Sequence, residues 1–300
     1  MAKSMLKGLI PPLLTPLLPD DHVDSQSVHR LVEHILAGGA SGVFALGSSG
    51  EGAFLTLGQR RALVQSAIEA MRGRGLLLVG IGECSVRRVR EVITALDLPG
   101  VDAFVLTLPF YGEFSRPEIQ LSFFRAIADE SPRPLLLYNI PQAVHALVEP
   151  DTLGELAGHP NIIGAKDSYG DMDRFQRLLW LTREIDFAVF QGAESIAGLS
   201  LLAGADGLVV GLGNLVPAWF ATMIEAAHAN QPAQVLEIQK RISALGTLHT
   251  HNHWLSCLKT AASLLGLCGP TVSAPLPMLS PDETARIRNL LEQHGLAVAH

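Results

Sequence analysis

Three short segments bring together residue types that can do chemistry. In NIIGAKDS, Asn161 to Ser168, an apolar run ends in Lys166. Of the lysines in the chain (Lys3, Lys7, Lys166, Lys240 and Lys259), only this one closes a run of strand type. Burial disfavours an ammonium, so a lysine at such a position becomes a nucleophilic amine able to form an imine with a carbonyl substrate. A structural lysine paired with Asp167 or another carboxylate is the competing reading. In LLLYNIP, Leu135 to Pro141, the preceding apolar run ends in Tyr138 and Asn139. A phenol beside an imine can shuttle protons, whereas a core tyrosine would only bond to the backbone. In ALGSSGEGAFLT, Ala45 to Thr56, Gly47 and Gly50 permit a tight turn, and Ser48, Ser49 and the local amides make a nest for the carboxylate of a 2-oxo acid. Taken alone, GSSGE also reads as an ordinary loop. His249, His251 and His253 alternate in LHTHNHW, which would align them only on a strand. The segment reads as a helix junction, so packing around Trp254 and Leu255 is preferred to a metal site.

Short apolar runs alternate with amphipathic stretches along the chain, the pattern of βα units around a parallel sheet. The runs are Leu9 to Thr15, Gly42 to Leu46, Leu76 to Gly80, Ala103 to Thr107, Leu135 to Asn139, Ile162 to Lys166, Phe187 to Gln191 and Gly207 to Val210. Helices are expected at Ser25 to Ala37, Leu57 to Met71, Ser85 to Leu96, Pro117 to Asp129, Pro150 to Leu156, Met172 to Thr182, Ser195 to Leu202 and Pro217 to His228. Runs such as LLLVG and DGLVVG are apolar without alternation, as strands buried on both faces are. No GxGxxG follows the first strand, and eight equal units suit closure better than an open sheet. The expectation is a (β/α)8 TIM barrel over residues 1–228. A C-terminal helical layer follows over 229–300, with helices at Ala233 to Leu248, Trp254 to Leu265 and Pro281 to His294.

Hydrophobic residues make up 48% of the 300, and only 17% are charged, so a large core is available. The net charge of -7 and the scattered arginines give no footprint for nucleic acid or an anionic membrane, and favour a small-molecule partner. Cys84, Cys257 and Cys268 form neither a CxxC nor an even set, which suits the reducing cytoplasm. Pro11, Pro12, Pro16 and Pro19 interrupt the apolar N-terminal stretch and argue against an export signal. Asp206 and several glycines interrupt Ile196 to Val216, which divides into a buried helix and a strand instead of spanning a bilayer.

The order and strand-end placement of GSSGE (Gly47 to Glu51), YNIP (Tyr138 to Pro141), GAKDS (Gly164 to Ser168) and GADGLVVGLGN (Gly204 to Asn214) resemble the dihydrodipicolinate synthase and N-acetylneuraminate lyase family over nearly the whole length. The resemblance implies class I, pyruvate-dependent aldolase or lyase chemistry without metal or organic cofactor. It makes Lys166 the imine-forming lysine and Tyr138 the proton relay. It makes Ser48 a proton-relaying hydroxyl and Ser49 a contact to the substrate carboxylate, with Gly47 in the same loop. Val209 takes the position whose carbonyl lies beside bound pyruvate. Tyr111 matches a tyrosine that reaches a neighbouring subunit's site, so a homodimer or homotetramer is implied; following Pro109 and Phe110 at the mouth, it also reads as an exposed interface aromatic.

Two departures bear on the substrate. Synthases of the family carry an arginine where this chain has Ala143, and sialate lyases hold the sugar tail with side chains of which Glu194 and Ser168 alone remain as candidates, beside Ala193 and Gly211. His145, just beyond Ala143, reads as a surface loop histidine. The preferred activity is aldol cleavage or dehydration of a 2-keto-3-deoxy sugar acid or hydroxy-oxo acid. The alternatives are condensation of pyruvate with an aldehyde, a barrel that binds a 2-oxo acid without turning it over, and a metal-dependent lyase using the histidine cluster.

Overall fold

The computed structural model describes residues 6–298. Eight parallel strands form one sheet: β1 (Gly8–Leu9), β2 (Gly42–Ala45), β3 (Leu76–Gly80), β4 (Ala103–Thr107), β5 (Leu135–Asn139), β6 (Ile162–Asp167), β7 (Ala188–Gln191) and β8 (Gly207–Leu208). From β2 to β8 each strand pairs with its sequence neighbour, and β1 pairs with β8. β1 is shorter than its apolar run suggests because Pro11 and Pro12 have no N–H to give a ladder. The chain nevertheless stays beside β2: the Phe44 amide donates to the Pro11 carbonyl and the Leu13 amide to the Phe44 carbonyl, each at 2.9 Å. These two bonds close the sheet into a (β/α)8 barrel.

The helices are α1 (Ser25–Ala37), α2 (Leu57–Met71), α3 (Val86–Leu96), α4 (Pro117–Ala128), α5 (Pro141–Val144), α6 (Pro150–Leu156), α7 (Met172–Thr182), α8 (Ala197–Leu202), α9 (Pro217–His228), α10 (Pro232–Leu245), α11 (Trp254–Leu264) and α12 (Pro281–Gln293). Local chemistry sets many of their starts. Asp24, Ser85 and Asp171 cap α1, α3 and α7, while Thr56 with Gln59 and Ser280 with Glu283 form capping boxes on α2 and α12. Proline occupies the first turn of α4, α5, α6, α9, α10 and α12, where its missing N–H costs nothing. Two differences from expectation stand out. The helix expected to reach Leu248 ends at Leu245 and tightens into a 3-10 turn, Gly246–Thr250. The four-residue α5 was not expected at all.

Alternate strand residues divide the core in two. Phe44, Leu78, Val105, Leu136, Tyr138 and Phe190 belong to the cluster inside the barrel, whereas Leu77, Leu135, Leu137 and Val189 pack outward under the helices. The outer cluster continues into α10, α11 and α12 through Ile242, Leu258 and Ile287. No helix among the described residues is long and apolar enough to cross a membrane.

Asn214 ties the seam at β1 and β8. Its Oδ1 accepts from the Leu14 amide at 3.1 Å, and its Nδ2 donates to the Pro12 and Gly211 carbonyls at 2.9 Å. Asn214→Ala leaves these groups buried without partners, so unfolding free energy measured in urea is expected to fall by about 2 kcal/mol. A change within experimental scatter would show that the seam is held by the β1 and β2 bonds alone.

Candidate active site

Lys166 and Tyr138 face each other across the β5 and β6 ladder at the carboxyl end of the barrel. Lys166 is 3% exposed, and its Nζ lies 4.0 Å from the Tyr138 ring centroid and 5.5 Å from that of Phe44. Phe44 in turn meets Tyr138 edge-on, with centroids 6.2 Å apart. Among the described residues, no carboxylate pairs with the Lys166 amine. Asp167 points the other way: its Oδ2 accepts from Asn139 Nδ2 at 2.6 Å and its Oδ1 from the Tyr169 amide at 3.0 Å. Burial pushes the Asp167 carboxyl up from its ordinary range, against the pull of those hydrogen bonds. Gly192 makes room for the lysine. A Cβ there would meet Ser168 Oγ at 2.0 Å and Lys166 Cε at 2.7 Å.

The loop after β2 supplies the opposite wall. It enters and leaves through two non-glycine residues in the left-handed region, Leu46 at φ 62° and Glu51 at φ 57°. Such conformations persist where their surroundings over-determine them, and they gather at functional sites. Gly47 and Gly50 are obligatory on steric grounds, since a Cβ would come within 2.7 Å of the Phe44 ring and 2.8 Å of the Leu13 carbonyl, respectively. The Ser48 and Ser49 hydroxyls and the Ser48, Ser49 and Gly50 amides have no acceptor among the described residues. Five donors are therefore free at one turn, a set able to hold a carboxylate.

A cavity of about 410 Å³ brings these parts together, with Lys166, Tyr138, Ser48, Ser49, Ser168 and Val209 on its walls. No described N–H donates to the Val209 carbonyl. Ala143 also borders the cavity, so no guanidinium enters at that point. An adjoining cavity of about 330 Å³ shares Ser48, Tyr138 and Trp254, and takes in Gly47. Arg60 lines this second space, and its guanidinium is bound to Glu83 at 3.0 Å. Tyr111 borders neither cavity. It is 83% exposed, so a single copy of the chain does not bring it to Lys166.

Three features escaped the reading of the sequence. Gly192 carried a signal, a glycine directly after an apolar run. The Glu51 and Lys259 side chains, both wholly buried, join at 2.5 Å across 208 positions of sequence. His249, part of the alternating triplet, borders the main cavity beside Glu194, with Nε2 3.5 Å from Glu194 Oε2 and Nδ1 3.3 Å from the Trp254 carbonyl. His253 instead stacks on Trp254, and His145 is exposed away from both cavities. No group of three His, Cys, Asp or Glu side chains among the described residues is placed to hold a metal ion.

A sequence profile of the Dihydrodipicolinate synthetase family matches residues 5–294. The chain belongs to this family. Its members are class I, pyruvate-dependent enzymes of aldolase and lyase type. A 4-hydroxy-tetrahydrodipicolinate synthase of Stenotrophomonas maltophilia is 37% identical over 228 residues, 75% of each protein. Dihydrodipicolinate synthase from Bacteroides thetaiotaomicron superposes with a TM-score of 0.91 at 32% identity, covering 96% of this chain and 98% of the other. YagE, a prophage protein of the dihydrodipicolinic acid synthase family from E. coli K12, solved in complex with pyruvate, gives 0.92 at 25% identity over 97% and 99%.

Within the family framework, the His249 and Glu194 pair has a defined pH signature. Burial works to lower the imidazole's pKa, but the hydrogen bond and charge of Glu194 outweigh it and raise it above the ordinary value. A folded-state value above the unfolded one means that the protonated pair stabilises fully below the unfolded pKa. That contribution is lost as pH rises through the folded one. The His249 ring resonance followed by NMR should therefore titrate above about 6.5, and Glu194→Gln should move its midpoint down. An unmoved midpoint would show that the two side chains do not interact.

Proposed function

We propose that the chain is a Schiff-base lyase that cleaves or dehydrates a 2-keto-3-deoxy sugar acid or hydroxy-oxo acid, with pyruvate as product or partner. The observation that carries this reading is a buried lysine amine without a counter-charge, facing a tyrosine ring and a turn with five free donors. In the cleavage sequence the unprotonated Lys166 amine adds to the C2 carbonyl, and water leaves to give an iminium. The Ser48 and Ser49 turn holds the adjoining carboxylate, with Ser49 in contact and Ser48 passing protons. Tyr138 takes the proton of the C4 hydroxyl, the C3 to C4 bond breaks, and its electron pair moves into the iminium to leave an enamine and an aldehyde. Protonation at C3 and hydrolysis release pyruvate and the free lysine. Dehydration uses the same iminium: loss of a C3 proton gives the enamine, which expels the C4 oxygen as water. Ser168, beside the lysine, and the Val209 carbonyl are substrate contacts in this scheme. The three free cysteines and the absence of a basic patch suit a cytoplasmic enzyme for a small anionic substrate.

A second reading is favoured by the names of the relatives: condensation of pyruvate with an aldehyde, as in 4-hydroxy-tetrahydrodipicolinate synthase. Ala143 argues against it, because an aldehyde bearing its own carboxylate finds no arginine there. Pyruvate with borohydride should leave a reduced adduct on Lys166, and a screen should then find turnover of 2-keto-3-deoxy acids with release of pyruvate. An adduct without turnover would favour a barrel that only binds a 2-oxo acid; consumption of the aspartate-derived aldehyde would favour the synthase. Labelling elsewhere would sink the imine mechanism.

We infer in addition that the protein is a homodimer or homotetramer in which Tyr111 completes a neighbour's site. Tyr111 stands beside the exposed Phe110, and Phe110 shares a cavity wall with the exposed Phe54, a cluster of apolar surface that a two-fold contact would cover. Mixing inactive Lys166→Ala with impaired Tyr111→Phe is expected to recover part of the activity. Recovery failing despite demonstrated subunit exchange, or a monomer at working concentration, would refute shared sites.

A further inference from the structure

The Glu51 and Lys259 side chains are each wholly buried, and neither touches the main cavity in which Lys166 lies. Both Glu51 oxygens are used. Oε1 accepts from Lys259 Nζ at 2.5 Å, and Oε2 from the Ser273 amide at 2.6 Å. Lys259 belongs to α11 and Ser273 to the segment after it, so one carboxylate fastens the turn after β2 to the C-terminal helical region. On the other side of the same turn, Thr15 Oγ1 donates to the Gly50 carbonyl at 2.6 Å. Burial lowers the pKa of the Lys259 ammonium, and the charge and hydrogen bond of Glu51, followed by Cys268, oppose that. Apolar side chains of similar volume would fill such a place at no loss of stability, so a buried ion pair is weak grounds for a purely stabilising role. What an ion pair supplies here is a single permitted position for the residue that ends the turn, one held at a positive φ.

We propose that Lys259 and Glu51 are positioning residues that hold the Ser48, Ser49 and Gly50 donors in their carboxylate-binding arrangement. Lys259 acts through Glu51, and Glu51 through the backbone of the turn; neither touches the reacting atoms. The inference rests on the reading of this turn as the site for the substrate carboxylate. Loss of the pair therefore weakens the hold on the carboxylate of pyruvate more than it slows imine formation once pyruvate is bound.

The test is the pyruvate concentration that half-saturates borohydride trapping at Lys166, together with the limiting trapping rate. In Glu51→Gln/Lys259→Met, which removes both charges, the half-saturating concentration should rise about tenfold while the limiting rate changes less than about threefold. Ile127→Ala on α4 opens a cavity in the outer core remote from the turn, and should lower the melting temperature without moving the half-saturation point. If the double variant does not fold, Glu51→Asp decides. It keeps Lys259 paired but shortens the link by one methylene, and should raise the half-saturation point by about threefold or more. An unchanged value in a folded variant overturns the proposal, as does an equal rise in Ile127→Ala. Wild-type protein that traps no pyruvate would overturn the imine reading instead, so the two failures are distinguishable.

Discussion

One extra residue in β6 sets the direction of the side chains at the mouth of the barrel. Leu135 pairs with Ile162 and Leu136 with Gly164, so Ile163 has no partner opposite it. Side chains alternate along a strand, and a slip of one residue reverses every one that follows. Beyond the bulge, Lys166 lies beside Tyr138 and Phe190 in the barrel interior, while Asp167 lies beside Asn139 and Gln191 on the face toward the helices. A ladder without the bulge would put the aspartate in the mouth and the lysine among the outer apolar side chains. The same phase shift that makes the amine available to a substrate removes the adjacent carboxylate that would have neutralised it.

The other acidic groups near the mouth are also taken up by partners of their own. Glu51 has Lys259 and the Ser273 amide, Glu83 has Arg60 and Arg88, and Glu194 has His249 and the Leu212 amide. Removing one member of the wholly buried Glu51 and Lys259 pair costs about 3 to 5 kcal/mol, because the survivor is left charged and dry. These pairs leave the Lys166 amine over the Tyr138 and Phe44 rings, with no carboxylate partner among the described residues. The donors of the Ser48 and Ser49 turn, likewise unpaired, stand across the same cavity. Free amine and free donors at opposite walls match the two ends of a 2-oxo acid, whose carbonyl and carboxylate carbons are adjacent.

Most of the frame was legible because it is locally encoded. Asp24, Thr56, Ser85 and Asp171 mark helix starts within a few residues of the chain, and α1, α2, α6, α7 and α9 begin and end where the periodicity puts them. β1 misled for a physical reason: an apolar run predicts burial, but the prolines within it cannot complete a ladder. The short α5 lies below the length at which periodicity carries any signal. Lys166, Tyr138 and the serine turn stood out because each closes or follows an apolar run. Glu51 with Lys259 did not, since pairing across 208 positions is decided by how α11 docks on the barrel and leaves no trace in local spacing. His249 was dismissed with its two neighbours on the same spacing argument. That argument is right that the three share no face, yet it does not say which one turns toward the cavity.

The wall beyond the lysine limits what the far end of a substrate can be. Gln142 precedes Ala143 on α5 and spends its amide on the Ser168 and Tyr169 carbonyls, which pins the short helix against the end of β6. The helix then stops at His145, left-handed at φ 56° and exposed. Ala143 thus faces the cavity without a charge to offer. Arg60, next door, is committed to Glu83, and the imidazole of His249 has a carboxylate already at one nitrogen and a carbonyl at the other. Apart from Lys166, the described residues of the main cavity leave no cation over for a second carboxylate. What does remain is the Ser168 hydroxyl and the second lone pairs of the Glu194 oxygens, and such groups hydrogen-bond to alcohols without having to balance a charge. A neutral, hydroxylated tail is therefore the far end these walls accommodate at least cost, which supports the sugar-acid reading over one that brings a second anion into the site.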